Sequence, residues 1–183
     1  MTTQACAIWG EDFTRYDFGP GHPMAPVRLD LTARLCRELG VFDQVDVVDV
    51  APATDEVLHT VHDPEYVAAV RAVSEDPTVA DGRWGIGTDD VPAFAGIHES
   101  SARIVSGSIE AARRVWTGEA EHGVNFTGGM HHAMRDRAAG FCVYNDIAAA
   151  IAWLLDQGVE RVAYVDVDVH HGDGVQEIFY EDP

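Results

Sequence analysis

Between Tyr164 and Gly174 the chain reads Tyr-Val-Asp-Val-Asp-Val-His-His-Gly-Asp-Gly, placing three carboxylates and two imidazoles within eight residues. Val162, Tyr164, Val165, Val167 and Val169 favour a strand, and side chains alternate faces along a strand. An extended backbone through His170 therefore puts Asp166, Asp168 and His170 on one face. Two carboxylates and an imidazole suit a divalent ion. A single aspartate at a strand end is more often a helix cap, and a single histidine more often a surface residue. Packed like charges, however, are costly unless a cation or proton compensates them. Asp173 follows among glycines, where a turn can start a helix near Gly174.

A second cluster is His131-His132, preceded by Gly128-Gly129 and followed by Gly140-Phe141-Cys142-Val143-Tyr144-Asn145-Asp146. Adjacent histidines act together only in a loop, because regular extended backbone sends them to opposite faces. Phe141, beside a glycine, fits either a core position or the wall of a narrow channel.

The elements that must carry these residues alternate in type. Strands are expected at Ala5 to Trp9, Val45 to Val50, Val124 to Phe126 and from Val162. Helices are expected from Val27 to Leu39, from Thr54 to about His59, from Asp63-Pro64 to about Val73, and from Ile97 to Trp116. Two more run from Asn145 to about Gly158 and from Gly174 to Tyr180. In the Val27 helix, Leu31, Leu35 and Leu39 form an i, i+4, i+8 apolar stripe expected to face the core. Phe18 to Pro26 and Glu75 to Pro92 are loops rich in Gly and Pro. Alternating strands and long helices imply an α/β fold, a parallel sheet flanked by helices. Ligands bind such sheets beyond the carboxyl ends of the strands, where both clusters are expected to lie.

Composition narrows the function classes. The chain has 183 residues, enough for one domain, and a net charge of −19 with arginine as its sole cationic side chain type. That charge repels nucleic acid and anionic membranes, so no direct nucleic-acid or membrane partner is expected. No apolar run approaches the ~20 residues of a membrane span. The first residues lack the regions of a signal peptide, so the expected location is cytoplasmic. Cys6, Cys36 and Cys142 have no zinc-ribbon spacing and are expected to be reduced packing residues.

Gly128 to His132, Gly140 to Asp146 and Tyr164 to Gly174, in that order and spacing, resemble the zinc-dependent histone deacetylase family. Tyr16 to Met24 and Gly87 to Phe94 are similar to its bacterial acetoin-utilisation branch. The resemblance implies a three-layer arginase/deacetylase-like fold, with residues 1–183 forming the N-terminal portion of a single catalytic domain, incomplete at its C-terminal side. It implies removal of acetyl groups from N-ε-acetyl-lysine in proteins. Asp168 and His170 match two of three ligands of the catalytic Zn2+, with Fe2+ as the alternative metal. His131 and His132 match the catalytic pair, His132 as general base, and Asp166 and Asp173 match the carboxylates behind them. Asp90 matches a rim aspartate that grips substrate backbone, Gly140 and Phe141 the tunnel walls, and Arg28 an arginine of the inner cavity. Asp166, with the carbonyls of Asp168 and His170, matches a K+ site.

The third metal ligand and an oxyanion tyrosine lie further along the chain in relatives, so the 183 residues alone are expected to bind metal weakly and to be inactive. An acetylated metabolic enzyme, such as an acyl-CoA synthetase, is the expected substrate. The competing readings are an acetylpolyamine amidohydrolase, and a non-catalytic module that binds an acylated ligand or a partner. An arginase-like enzyme needs a more compact Asp-x-His-x-Asp pattern, which this run does not supply.

Overall fold

The structure, a computed structural model, describes residues 3–182. Its centre is β1 (Thr3–Ile8), whose Cys6, Ala7 and Ile8 are all buried. Such an unbroken apolar run is the pattern of a strand covered on both faces. β1 pairs in parallel with β2 (Asp46–Val48) on one side and β3 (Ala120–Val124) on the other, giving the order β2-β1-β3. The register sets Cys6 opposite Asp46 and Ala7 opposite Val124.

Helices flank this sheet. They are α1 (Val27–Glu38), α2 (Asp55–Leu58), α3 (Pro64–Glu75), α4 (Ile97–Trp116), α5 (Asp146–Asp156) and α6 (Asp173–Ile178). In α3, Pro64 opens the first turn, where its missing N–H costs nothing, and Tyr66, Val67, Val70 and Val73 form the buried stripe. α4 buries Ile97, Ser101, Ile104 and Ala111, while Val115 near its end is exposed. α5 is capped by the Asn145 side chain, which accepts the Ala148 N–H at 2.9 Å. The core joins these helices to aromatic residues that lie outside them, among them Phe13, Tyr16 and Tyr144.

Three expectations need correction. The third strand lies at Ala120–Val124 rather than Val124 to Phe126. Only Ala120 of it is buried, so its polar sequence shows no strand pattern, and backbone pairing with β1 makes the strand. It ends where the Asn125 side chain accepts the Thr127 N–H at 3.2 Å and turns the chain. In α1 the stripe of Leu31, Leu35 and Leu39 faces solvent, at 58%, 59% and 67% exposure, while Leu29 and Ala33 on the other side are buried. The run from Val162 forms no strand: residues 161–167 have no regular structure, and Val165, Val167 and Val169 are exposed. A strand requires a neighbour to satisfy its backbone groups. Here a groove of about 680 Å³ separates Val162 and Tyr164 from Gly123 and Asn125 at the β3 edge. A second groove, about 750 Å³, lies toward α5 and α6.

Candidate active site

Two loops and one extended segment build the site. The first loop leaves β3 and reaches His131 and His132, whose rings lie with centroids 4.2 Å apart. The carbonyl of His131 accepts the N–H groups of Gly174 at 3.0 Å and Val175 at 3.2 Å, tying this loop to the first turn of α6. That junction brings Asp173 beneath His132: its Oδ1 lies 2.6 Å from Nδ1 of His132 and also accepts the Gly174 N–H at 3.0 Å. Asp166 Oδ2 stands 2.7 Å from Nδ1 of His131. Tyr164 donates its hydroxyl to the same oxygen, and the Asp168 N–H donates to Asp166 Oδ1 at 3.0 Å.

These donors set the charges. The hydrogen bond from His131, then those from Tyr164 and the Asp168 N–H, hold the Asp166 carboxyl well below the usual carboxylate range. Burial and the bond to Asp166 push the Tyr164 hydroxyl up. The His170 N–H and then its ring lower Asp168. With a carboxylate accepting at Nδ1, each histidine carries its hydrogen there and presents Nε2 for proton transfer.

Asp168 and His170 sit beside this pair. Oδ1 of Asp168 lies 2.9 Å from Nδ1 of His170, and the His132 and His170 ring centroids are 6.1 Å apart. A carboxylate and an imidazole side by side fit a divalent ion in kind, as two of the three protein ligands usual for catalytic zinc. No group of three or more His, Cys, Asp or Glu side chains that could hold a metal occurs among the described residues.

The second loop closes the site from the side. Gly140 and Phe141 both have positive φ, 53° and 67°, between Ala139 and Cys142, which exchange two backbone hydrogen bonds. This is the pattern of a type I′ turn, which a bulky residue such as Phe adopts only when its surroundings hold it. Three contacts do so. Tyr16 donates its hydroxyl to the Phe141 carbonyl at 2.6 Å, Gly140 donates its N–H to Asp90 Oδ2 at 2.8 Å, and the His22 ring packs edge-on against Phe141 at 4.6 Å.

Nine of the ten singled-out residues thus fall into one neighbourhood. Arg28 stands apart, exposed in the first turn of α1 with its guanidinium donating to Met24 Sδ at 3.0 Å. No hydrogen bond among the described residues links it to the histidine pair. Sequence reasoning passed over Tyr164, although the period of two that groups Asp166, Asp168 and His170 includes it. It also passed over Tyr16, which no local pattern connects to Phe141.

Residues 22–183 match the histone deacetylase domain. Over 178 residues the chain is 40% identical to the acetoin utilization protein AcuC of Bacillus subtilis (strain 168), covering 96% of this chain and 46% of that one. Its fold superposes on a crystal structure of an HDAC homologue from Aquifex aeolicus with a TM-score of 0.86 and 31% identity, over 97% of this chain and 48% of that one. A crystal structure of an HDAC homologue complexed with SAHA gives a TM-score of 0.85 at 30% identity, over 98% and 48%. The chain therefore spans about half the length of the relatives it matches, and its sheet and helices are part of the arginase/deacetylase-like fold. It belongs to the histone deacetylase family.

Proposed function

We propose that residues 1–183 are the N-terminal portion of the catalytic domain of a metal-dependent hydrolase that removes acetyl groups from N-ε-acetyl-lysine in proteins. The observation that carries this reading is the pair of histidine–carboxylate bonds, His131–Asp166 and His132–Asp173, side by side and next to Asp168 and His170. Asp168 and His170 would hold a Zn2+ or Fe2+ ion. When bound, such an ion supplies Lewis acidity toward an amide carbonyl and toward a water.

This chain's own residues supply the proton transfers and part of the substrate path. His132 accepts a proton from the attacking water at Nε2, while Asp173 fixes its ring through Nδ1. As the amide C–N bond breaks, a protonated histidine of the pair gives its Nε2 proton to the departing lysine amine. Asp166, fixed by Tyr164, orients His131 for that exchange. Gly140 and Phe141 line a path suited to the four methylenes of an acylated, uncharged lysine. Asp90 spends Oδ2 on Gly140 and keeps Oδ1 for a substrate backbone N–H. Asp166, with the backbone carbonyls of Asp168 and His170, would hold a K+ ion. An acetylated cytoplasmic enzyme such as an acyl-CoA synthetase is the substrate this reading favours, in keeping with the acetoin-utilisation-type motifs at Tyr16 to Met24 and Gly87 to Phe94.

The test compares two proteins with an acetyl-lysine peptide: the 183-residue chain, and the product of any reading frame continuing past codon 183. With two metal ligands, the shorter chain is expected to show weak metal binding and little or no turnover. The longer product is expected to hydrolyse the peptide and to lose that activity in His132→Ala and Asp168→Ala. Full activity in either variant would overturn the roles assigned, and faster turnover of acetylated polyamine would overturn the substrate.

A further inference from the structure

The His131-His132 pair hangs in a loop, yet its rings meet Asp166 and Asp173 at hydrogen-bond distance. Something must hold the loop's backbone, and the groups that do so are buried and polar. Ahead of the pair, Asp146 at the start of α5 is 1% exposed. Its Oδ1 accepts the Met130 N–H at 2.7 Å and the Gly129 N–H at 3.2 Å. Its Oδ2 accepts the Gly129 N–H at 3.2 Å and the hydroxyl of Ser108 from α4. Asn125 in turn donates to Ser108 Oγ at 2.9 Å. The approach is close enough that a β-carbon at Gly128 would stand 2.2 Å from Asp146 Oδ2.

Behind the pair, Asn145 donates through Nδ2 to the Ala133 carbonyl at 3.0 Å. The fully buried His62 bridges the same junction, with Nδ1 3.0 Å from the Met134 carbonyl and Nε2 accepting the Asn145 N–H at 2.9 Å. The carbonyl forces the hydrogen onto Nδ1 and the amide leaves Nε2 as acceptor, so His62 serves as a neutral linker. The loop is thus gripped one and two residues before the pair and one and two residues after it. All three gripping side chains issue from the Asn145-Asp146 step or dock onto it.

We propose that Asp146 is a positioning residue: its buried carboxylate fixes the Gly129–Met130 backbone and thereby places the His131 and His132 rings on Asp166 and Asp173. Burying a carboxylate is costly unless it is fully hydrogen-bonded, and this one spends its acceptors on the two amides that lead into the histidine pair. Its role in turnover rests on the deacetylase reading, but the placement of the rings does not, and a measurement on the rings separates the two.

The experiment is NMR of the chelator-treated 183-residue chain, following the low-field Nδ1–H protons of His131 and His132. Both are expected in the parent protein. Asp146→Ala is expected to lose or broaden them, whereas Asp146→Asn, whose amide oxygen can still accept both N–H groups, is expected to retain them. Val70→Ala, a buried truncation on α3, serves as a control for general loss of stability and should leave them in place. Asp146→Ala folded with both protons unchanged overturns the proposal, as does their equal loss in Val70→Ala. Should Asp146→Ala not fold, Ser108→Ala decides: the proposal requires faster exchange of the Gly129 and Met130 amides and a broadened His131 ring proton, and fails if both are unaltered.

Discussion

A β-carbon at Gly140 would stand 2.3 Å from Cδ2 of His132, and its φ of 53° disfavours any side chain. The glycine is therefore fitted against the ring it is expected to serve. Gly140→Ala should push His132 off Asp173 and cost roughly 1–3 kcal/mol from overpacking. Loss of the His132 ring proton signal and a lower denaturation midpoint would both register it. Gly82→Ala, where a β-carbon meets nothing within 4 Å, should leave both alone. Single residues were legible in the sequence where chemistry is local: Asp166, Asp168 and His170 are grouped by a period of two. The partners of the histidines, 35 and 41 residues away, came with the family resemblance, because no periodicity carries a contact across that distance. Tyr16 and Phe141, 125 residues apart, lie beyond both routes.

Most helices could be read from the sequence because turn signals and apolar spacing agree, as at Asp63-Pro64 and at Asn145. Periodicity has two limits here. In α1, apolar residues occupy two faces, and the pattern alone does not say which meets the core. The buried Leu29 and Ala33 won, while Leu31 and Leu35 face solvent. Leu31→Gln or Leu35→Gln should accordingly change stability by no more than about 0.5 kcal/mol, whereas Leu29→Ala should cost roughly 2–5 kcal/mol. Urea titration of the three variants reads the difference, and a large loss from either glutamine would put the stripe back in the core. The second limit is the run from Val162, where strand-forming side chains are present and no strand among the described residues pairs with them. Strand propensity describes a residue on a sheet and cannot supply the sheet.

Across the whole molecule, two buried histidines link stability to pH. Burial lowers His62 from 6.5 to about 4, and burial followed by the charge of Arg71 lowers His98. Above about pH 6.5 these rings are neutral in both states. Below it the unfolded chain binds protons that the folded chain refuses, so stability falls with acidification until the folded pKa is reached. The shift at His62 corresponds to roughly 3 kcal/mol in full, of which about 2 kcal/mol is spent between pH 7 and pH 5. Carboxylates lowered by hydrogen bonds from Arg113, such as Glu110 and Glu119, begin to cost stability only in more acid solution. Of these groups, the imidazoles are the ones that respond between pH 7 and pH 5. His62→Gln should be less stable than the parent at pH 7, because it cannot bridge the Met134 carbonyl and the Asn145 N–H as the ring does. Its stability should nonetheless fall less on going to pH 5. Every other titrating group is common to the two proteins, so the difference between their slopes isolates this one ring. Denaturant titrations at pH 7, 6 and 5 measure both slopes, and parallel slopes would mean that His62 takes up its proton in the folded chain as readily as in the unfolded one.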